Sequence, residues 1–433
     1  MPTEAARAYL DELDETYARL HTQKEDSFWH SKMGLSADAS RAQSELDAAD
    51  ITLQRFLSDP ERLARTREAA ASADDEELRL RAQGWLSTFE SHVIASSEAR
   101  ALQEELTLAE GRLHTARGGM SLGYQDPTEG FVPASSVKLS NMLLTDPDEA
   151  RRLAAFRGLR SIESHVLEHG FLDIVRRRNR LARSLGAEDY YDWKTRRVEG
   201  MSKAEVFAAL DELEALTRDA AQRAIEQARA EHGSAKITPW NLNYLVAGDV
   251  TRELDPFFPF DAAIDRWGRS FVGLGIGYDG AELILDLLDR KGKYENGFMH
   301  GPVVGWRRNG QRIRARVQFT ANAMPGVVGS GRRALQTLFH EGGHAAHFAN
   351  IDMPSPCFGQ EFAPTSVAFA ETQSMFCDSL LDDAAWQQRY ALDVNGSPPP
   401  LTLMDRAIDA GQPFAAWSAR AMLAICYGEK AIY

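Results

Sequence analysis

Residues 331–345 read GRRALQTLFHEGGHA, and the rest of the chain is arranged around them. Leu335, Leu338 and Phe339 come before the second half of this stretch, and Ala346 and Phe348 follow it. Their spacing predicts one helix from about Gly331 to about Asn350, closed by a residue type that tolerates a helix end. On a helix, His340 and His344 lie about 40° out of line at ~100° per residue, so their imidazoles project from one face. Two imidazoles so placed can share one zinc ion at ~2.0–2.1 Å. Glu341 can reach water at that ion without ligating it. This is the mechanical content of H-E-x-x-H, present here as His340-Glu341-Gly342-Gly343-His344.

A catalytic zinc takes three protein ligands and keeps one position open. Candidates C-terminal to His344 are few. Glu371 lies in the predicted helix VAFAETQSMFCDSLL, preceded by Phe369 and Ala370. A carboxylate in an apolar stretch needs a partner, and a cation at the zinc position supplies one. Asp378 follows seven residues on, about 20° out of line with Glu371 on the same face. It can accept a hydrogen bond from the far nitrogen of a ligating histidine. Glu361 reads as an ordinary helix-start carboxylate. Cys357 and Cys377 are conceivable soft ligands, although thiolates suit structural zinc more often. His347 would have to bend the helix to reach the metal, so it reads as packing or as support for a ligand.

Just before this helix, GPVVGWRRNGQRIRARVQFT carries Asn309-Gly310 between two alternating runs, a strong hairpin signal. Ile313, Ala315, Val317 and Phe319 fall on one strand face; Arg312, Arg314, Arg316 and Gln318 fall on the other. A hairpin here can offer an edge to an extended peptide, or can simply cover the core. Leu283 to Leu288 is apolar, and periodicity does not choose between strand and helix. Elsewhere helices dominate. Leu10, Leu13, Tyr17 and Leu20 follow helical spacing, and Asp59-Pro60 is a helix start. The turn formers Gly118-Gly119, Gly123, Asp126-Pro127, Gly130 and Pro133 mark a boundary between a helical region, residues 1–120, and a catalytic region, residues 121–433. Arg176, Arg177, Arg178, Arg180 and Arg183 read as a solvated helix face paired with acidic neighbours. Ser202 caps a long helix.

A formal net charge of −14 argues against nucleic acid and anionic membranes as partners. No apolar run is long enough to span a bilayer, and MPTEAARAYLDEL lacks a secretory pattern. The 3 scattered cysteines form no C-x-x-C and fit reduced thiols, so a cytoplasmic location is expected. The fold class expected is mainly α, with a small β-sheet or hairpin beside the metal helix.

FHEGGHAAH with the preceding TL, and FAETQSMFCD downstream, resemble the thimet oligopeptidase / oligoendopeptidase F family of zinc metallopeptidases. RRNRLARSLGAEDYYDWK, ITPWNLNYL, FFPFDAAIDRWGRSFVGLGI and DLLDRKGKYENGFMHGP resemble family segments in the family order, from about Arg176 to Asp378. The resemblance implies His340, His344 and Glu371 as ligands of one zinc ion, Glu341 as general base and Asp378 as support for a histidine. It implies a zincin-like, two-lobed clam with a deep channel, and short peptides as substrates. There are two departures. Asn241 stands in PWN where family members commonly have Asp. A later segment of the form H-x-x-x-G-Y followed by paired tyrosines, which grips the substrate oxyanion in the family, has no counterpart. The Gly-Tyr pairs, Gly123-Tyr124 and Gly277-Tyr278, precede the metal helix, and the chain ends at ICYGEKAIY. The resemblance thus implies a chain lacking the C-terminal part. Two functions follow: an endopeptidase for oligopeptides, or a truncated or degenerate relative that binds zinc and peptide or a partner with little turnover. Cleavage preference, substrate-binding residues and oligomeric state are not readable.

Overall fold

Side-chain oxygens set the starts of the first helices. In the computed structural model, which describes residues 3–359 and 364–433, α1 (Thr3–Lys32) buries Leu10, Leu13, Tyr17 and Leu20 along one stripe. Asp38 caps α2 (Ala39–Leu57) and Asp59 caps α3 (Pro60–Ala71), with Pro60 in the first turn. Asp75 caps α4 (Glu76–His92) and Ser96 caps α5 (Ser97–Gly118). The helices pair α1 with α2 and α3 with α4, as their amphipathic stripes require.

The glycine-rich break is more than a joint. It folds into a hairpin, β1 (Gly123–Asp126) against β2 (Gly130–Pro133). Asp126 Oδ1 accepts from the backbone N–H of Thr128 and of Glu129, which shapes the turn. Then come α6 (Ser136–Thr145), α7 (Glu149–Glu168), α8 (Phe171–Ser184), α9 (Tyr190–Glu199) and α10 (Lys203–His232). The arginines of α8 do pair with acids: Arg177 with Asp173 and Glu105, Arg178 with Glu110. Ser202 and Glu205 form a reciprocal cap on α10. Asn241, just before α11 (Leu242–Leu254), is fully buried; its Oδ1 accepts from Arg152 Nε at 3.2 Å and Nη2 at 2.8 Å. A neutral amide thus suffices at this position. Next is α12 (Ala263–Gly273).

Five strands follow: β3 (Glu282–Leu288), β4 (Phe298–Val303), β5 (Trp306–Arg308), β6 (Gln311–Ile313) and β7 (Arg316–Ala323). Leu283 to Leu288 is therefore strand. Asn309 (φ 50°) and Gly310 (φ 76°) make the expected tight turn between β5 and β6. The strand expected to continue from Ile313 to Phe319 breaks at Arg314-Ala315. The hairpin stands apart as a two-stranded ribbon, and the remainder becomes β7 in a separate sheet of order β3-β7-β4. β3 runs parallel to β7 and β4 antiparallel, so Leu285 and Met299 flank Phe319. β7 is paired along both edges, and its side chains are buried on both faces of the sheet. Val317 and Phe319 are buried, and so are Thr320 and Gln318, the latter on the face that alternation shares with the arginines. Lys293, its side chain wholly enclosed, closes one end of the sheet by donating to the carbonyls of Asp286, Leu288 and Ala321.

The chain ends in α13 (Ser330–Asn350), α14 (Val367–Ser379), α15 (Ala384–Tyr390), α16 (Leu401–Gly411) and α17 (Ala415–Ile432). One core joins Tyr17 and Trp85 to Phe319, Leu338 and Phe339. The N-terminal helix is also wired to β4 by polar groups. Glu25 accepts from Lys24 Nζ at 2.7 Å and pairs with His300 Nδ1. His21 Nε2 meets the Gly301 carbonyl at 2.9 Å, and Thr22 Oγ1 donates to the Pro302 carbonyl at 2.6 Å.

Burial alone would push the Glu25 carboxyl up; Lys24 and His300 beside it outweigh that and hold it well below the usual carboxylate range. Breaking such a buried cluster leaves Lys24 without its counter-charge and His300 Nδ1 without its partner. Glu25→Ala is expected to lower unfolding free energy at pH 7 by about 3 kcal/mol in denaturant titrations. A carboxyl that releases its proton more easily when folded stabilises fully above its unfolded value near 4.5. The deficit of the variant should therefore shrink as the pH falls below that value.

Candidate metal centre

Two adjacent glycines inside a helix each cost about 1 kcal/mol relative to alanine. In α13 close neighbours explain them. A Cβ on Gly342 would stand 2.5 Å from Trp267 Nε1 of α12. A Cβ on Gly343 would stand 3.0 Å from the Ser374 Cα and 3.2 Å from Cys377 Sγ, both on α14. The absent side chains let two helices press on α13 between its histidines. Tyr278 adds a brace, its hydroxyl donating to the Gly342 carbonyl at 2.9 Å. At the start of α13, Asp255 Oδ1 accepts from the Gly329 N–H at 2.6 Å.

The start of α14 is fixed twice. Ser366 caps the helix, and Glu199, the last residue of α9, accepts from the Ser366 hydroxyl and from the Val367 N–H. From there the helix turns Glu371, Ser374 and Asp378 towards α13.

Glu371 Oε2 lies 3.2 Å from His340 Nε2 and 3.4 Å from His344 Nε2. The three ligand atoms fall within 4.8 Å of one another, and no other such group of His, Cys, Asp or Glu occurs among the described residues. The two rings stand nearly perpendicular at 80°, with centroids 5.0 Å apart. Asp378 Oδ2 is 3.1 Å from His340 Nδ1. That contact selects the tautomer with the proton on Nδ1 and leaves the Nε2 lone pair facing Glu371. Burial pushes the Asp378 carboxyl up, against the opposing pull of His340.

The spacing of the donor set fits a tetrahedral ion. Ligands ~2.05 Å from a tetrahedral ion stand about 3.3 Å from each other. The two nitrogen-to-oxygen separations straddle that figure, and two imidazoles with one carboxylate suit zinc. The alternative ligands lie elsewhere. Cys357 is buried beside Ser355 and Asp14, where burial pushes its thiol up. Cys377 faces Gly343, its thiol pushed up to about 11 by burial. His347 packs edge-on against Phe369. Glu361 lies outside the described residues.

Glu341 is buried and lines a cavity of about 320 Å³ together with His340, Asp378, Gly297, Arg333, Gln336 and Thr337. Gly297 was not foreseen. A Cβ there would stand 2.1 Å from Thr337 Cγ2 and 3.3 Å from Glu341 Oε1. The chain therefore enters β4 by passing directly over the carboxylate. The one sequence signal was a glycine just before an apolar run, in Glu295-Asn296-Gly297-Phe298. It is the lead-in to β4 that borders Glu341, while the Asn309-Gly310 hairpin forms a separate ribbon.

No family model and no curated protein sequence matches the chain. Solved structures do. A Bacillus anthracis protein assigned as an oligoendopeptidase F matches 98% of this chain and 84% of its own, with TM-score 0.55 and 13% identity. PZ peptidase A, solved with an inhibitor, matches over 99% and 74%, with TM-score 0.59 and 14% identity. The M32 carboxypeptidase of Deinococcus radiodurans matches over 93% and 67%, with TM-score 0.54 and 16% identity. At such identities the likeness is one of fold. The chain has the mainly helical, zincin-like architecture of these peptidases, as its sequence suggested.

Because α14 rests on a bare helix surface, filling that surface should part the donors. Gly343→Val is expected to weaken zinc binding at least about tenfold, as a ~1 Å displacement of supporting structure commonly does at such sites. Competition with a chromophoric chelator measures it.

Proposed function

We propose that the chain is a zinc-dependent endopeptidase acting on short peptides. The observation that carries this reading is the convergence of His340 Nε2 and His344 Nε2 on one oxygen of Glu371, with Glu341 on the same helix turn. The fold, shared with peptidases of several kinds, supports it.

His340, His344 and Glu371 would hold one zinc ion, and Asp378 would orient His340. Zinc in such a site acidifies water and polarises a carbonyl. Glu341 then does the proton work. It accepts a proton as the water oxygen bonds to the scissile carbonyl carbon. It returns that proton to the amide nitrogen as the C–N bond breaks, leaving one carboxylate and one amine product. Asp378 does not enter the exchange; its carboxylate would accept from Nδ1–H of His340 and so leave the Nε2 lone pair for the metal.

The cavity beside Glu341 is on the scale of a small-molecule site, which suits an unfolded peptide and not a folded domain. The acidic surface agrees with a substrate other than nucleic acid. No helix among the described residues is long and apolar enough to cross a membrane.

The test uses an internally quenched peptide. Chelation should abolish cleavage and zinc should restore it. Glu341→Gln should retain one zinc per chain by metal analysis and lose ~10²–10⁴-fold in kcat. Cleavage by that variant at the parent rate would remove Glu341 from the mechanism. Zinc and peptide binding without turnover in the parent would leave the reading of a binding protein.

A further inference from the structure

Of the three donors, Glu371 is the one with freedom to stray. The histidines stand in the packed middle of α13, and His340 is further held by Asp378. Glu371 crosses the gap from α14 on a long side chain that is 43% exposed. Long carboxylate side chains lose much rotamer freedom when pinned, so something must hold this one if the centre is to be ready for an ion.

Ser374 is placed to do it. Its Oγ lies 3.0 Å from Glu371 Oε2, the same oxygen that faces both imidazoles. It also lies 2.9 Å from the Glu371 carbonyl, the usual helical acceptor for a serine three residues on. One hydroxyl proton serves one acceptor at a time, and a carboxylate is the stronger acceptor. Ser374 itself has no play. It is wholly buried, and its Cα sits where α14 meets the bare surface of Gly343. Packing alone asks only for a small residue here, and alanine or glycine would serve. The hydroxyl adds a bond to the donor that reaches the centre from α14 on a half-exposed side chain.

We propose that Ser374 is a positioning residue of the metal centre. Its hydroxyl holds the Glu371 carboxylate with Oε2 turned towards His340 and His344 before an ion arrives. This rests on the reading of the centre as a zinc site. Partners of this kind typically account for ~10–100-fold in metal affinity.

The experiment measures zinc affinity of the metal-free full chain by competition with a chromophoric chelator. Ser374→Ala should bind zinc ~10–100-fold more weakly than the parent. Ser374→Gly also removes the hydroxyl without adding bulk, should show a similar loss, and carries the test if the alanine variant does not fold. The decisive comparison is in Glu371→Ala. There, adding Ser374→Ala should change affinity by less than about twofold, because no carboxylate remains to be held. A serine that only packs helices would cost the same in both backgrounds, and that result overturns the proposal. So does parent-like affinity in both serine variants. A parent that takes up no zinc overturns the zinc reading itself, and the serine assignment with it.

Discussion

The contact between α13 and α14 at Gly343 is the constraint on which the centre depends. The helices meet where one has no side chain, and the meeting distance sets how far Glu371 must reach. Each glycine weakens the helix on its own. The cost is offset by burial of Leu338, Phe339, Ala345 and Ala346 around it, all within the main core. The histidine spacing is therefore held by tertiary packing as much as by helix propensity. A histidine pair on an isolated helix would be a loose clip; here the core stiffens it.

The opposite wall depends on a different kind of force. β4 passes over Glu341 at Gly297, and α1 holds β4 through Glu25, His300, His21 and Thr22. Charges so deeply placed are tolerated only when paired, and Lys24 and His300 supply the pairing. The first helix, distant in sequence from the candidate ligands, thus helps to place the roof of the site.

Much of this was legible in residue order. Helical spacing located α13 almost to the residue, and the interval from Glu371 to Asp378 put both carboxylates on one face of α14. Capping side chains located α3 and α10. What failed was tertiary. Alternation in Arg312 to Phe319 reads as one half-exposed strand, but the strand breaks at Arg314-Ala315 and its second half enters a sheet packed on both faces, which no local pattern announces. The pairing of Glu25 with His300 spans 275 positions, and nothing local marks either residue. Gly297 was hidden for the same reason, since a glycine announces room for a neighbour without naming it. Ser374 looked like one more small residue in a helix until its oxygen was seen beside a carboxylate.

The anchoring of α14 has a consequence for how the molecule moves. Its first turn is tied to Glu199, at the end of α9, while both histidines belong to α13 and the core beneath it. The donor triangle is thus shared between two moorings. Any slip of α9 against α13 reaches the triangle as a change in the span from oxygen to nitrogen, and a bound ion would resist that slip. By linkage, whatever the moorings add to affinity for the ion, a bound ion would add to the free energy of holding the moorings together. The centre would be a latch between two parts of the chain as well as a place for chemistry.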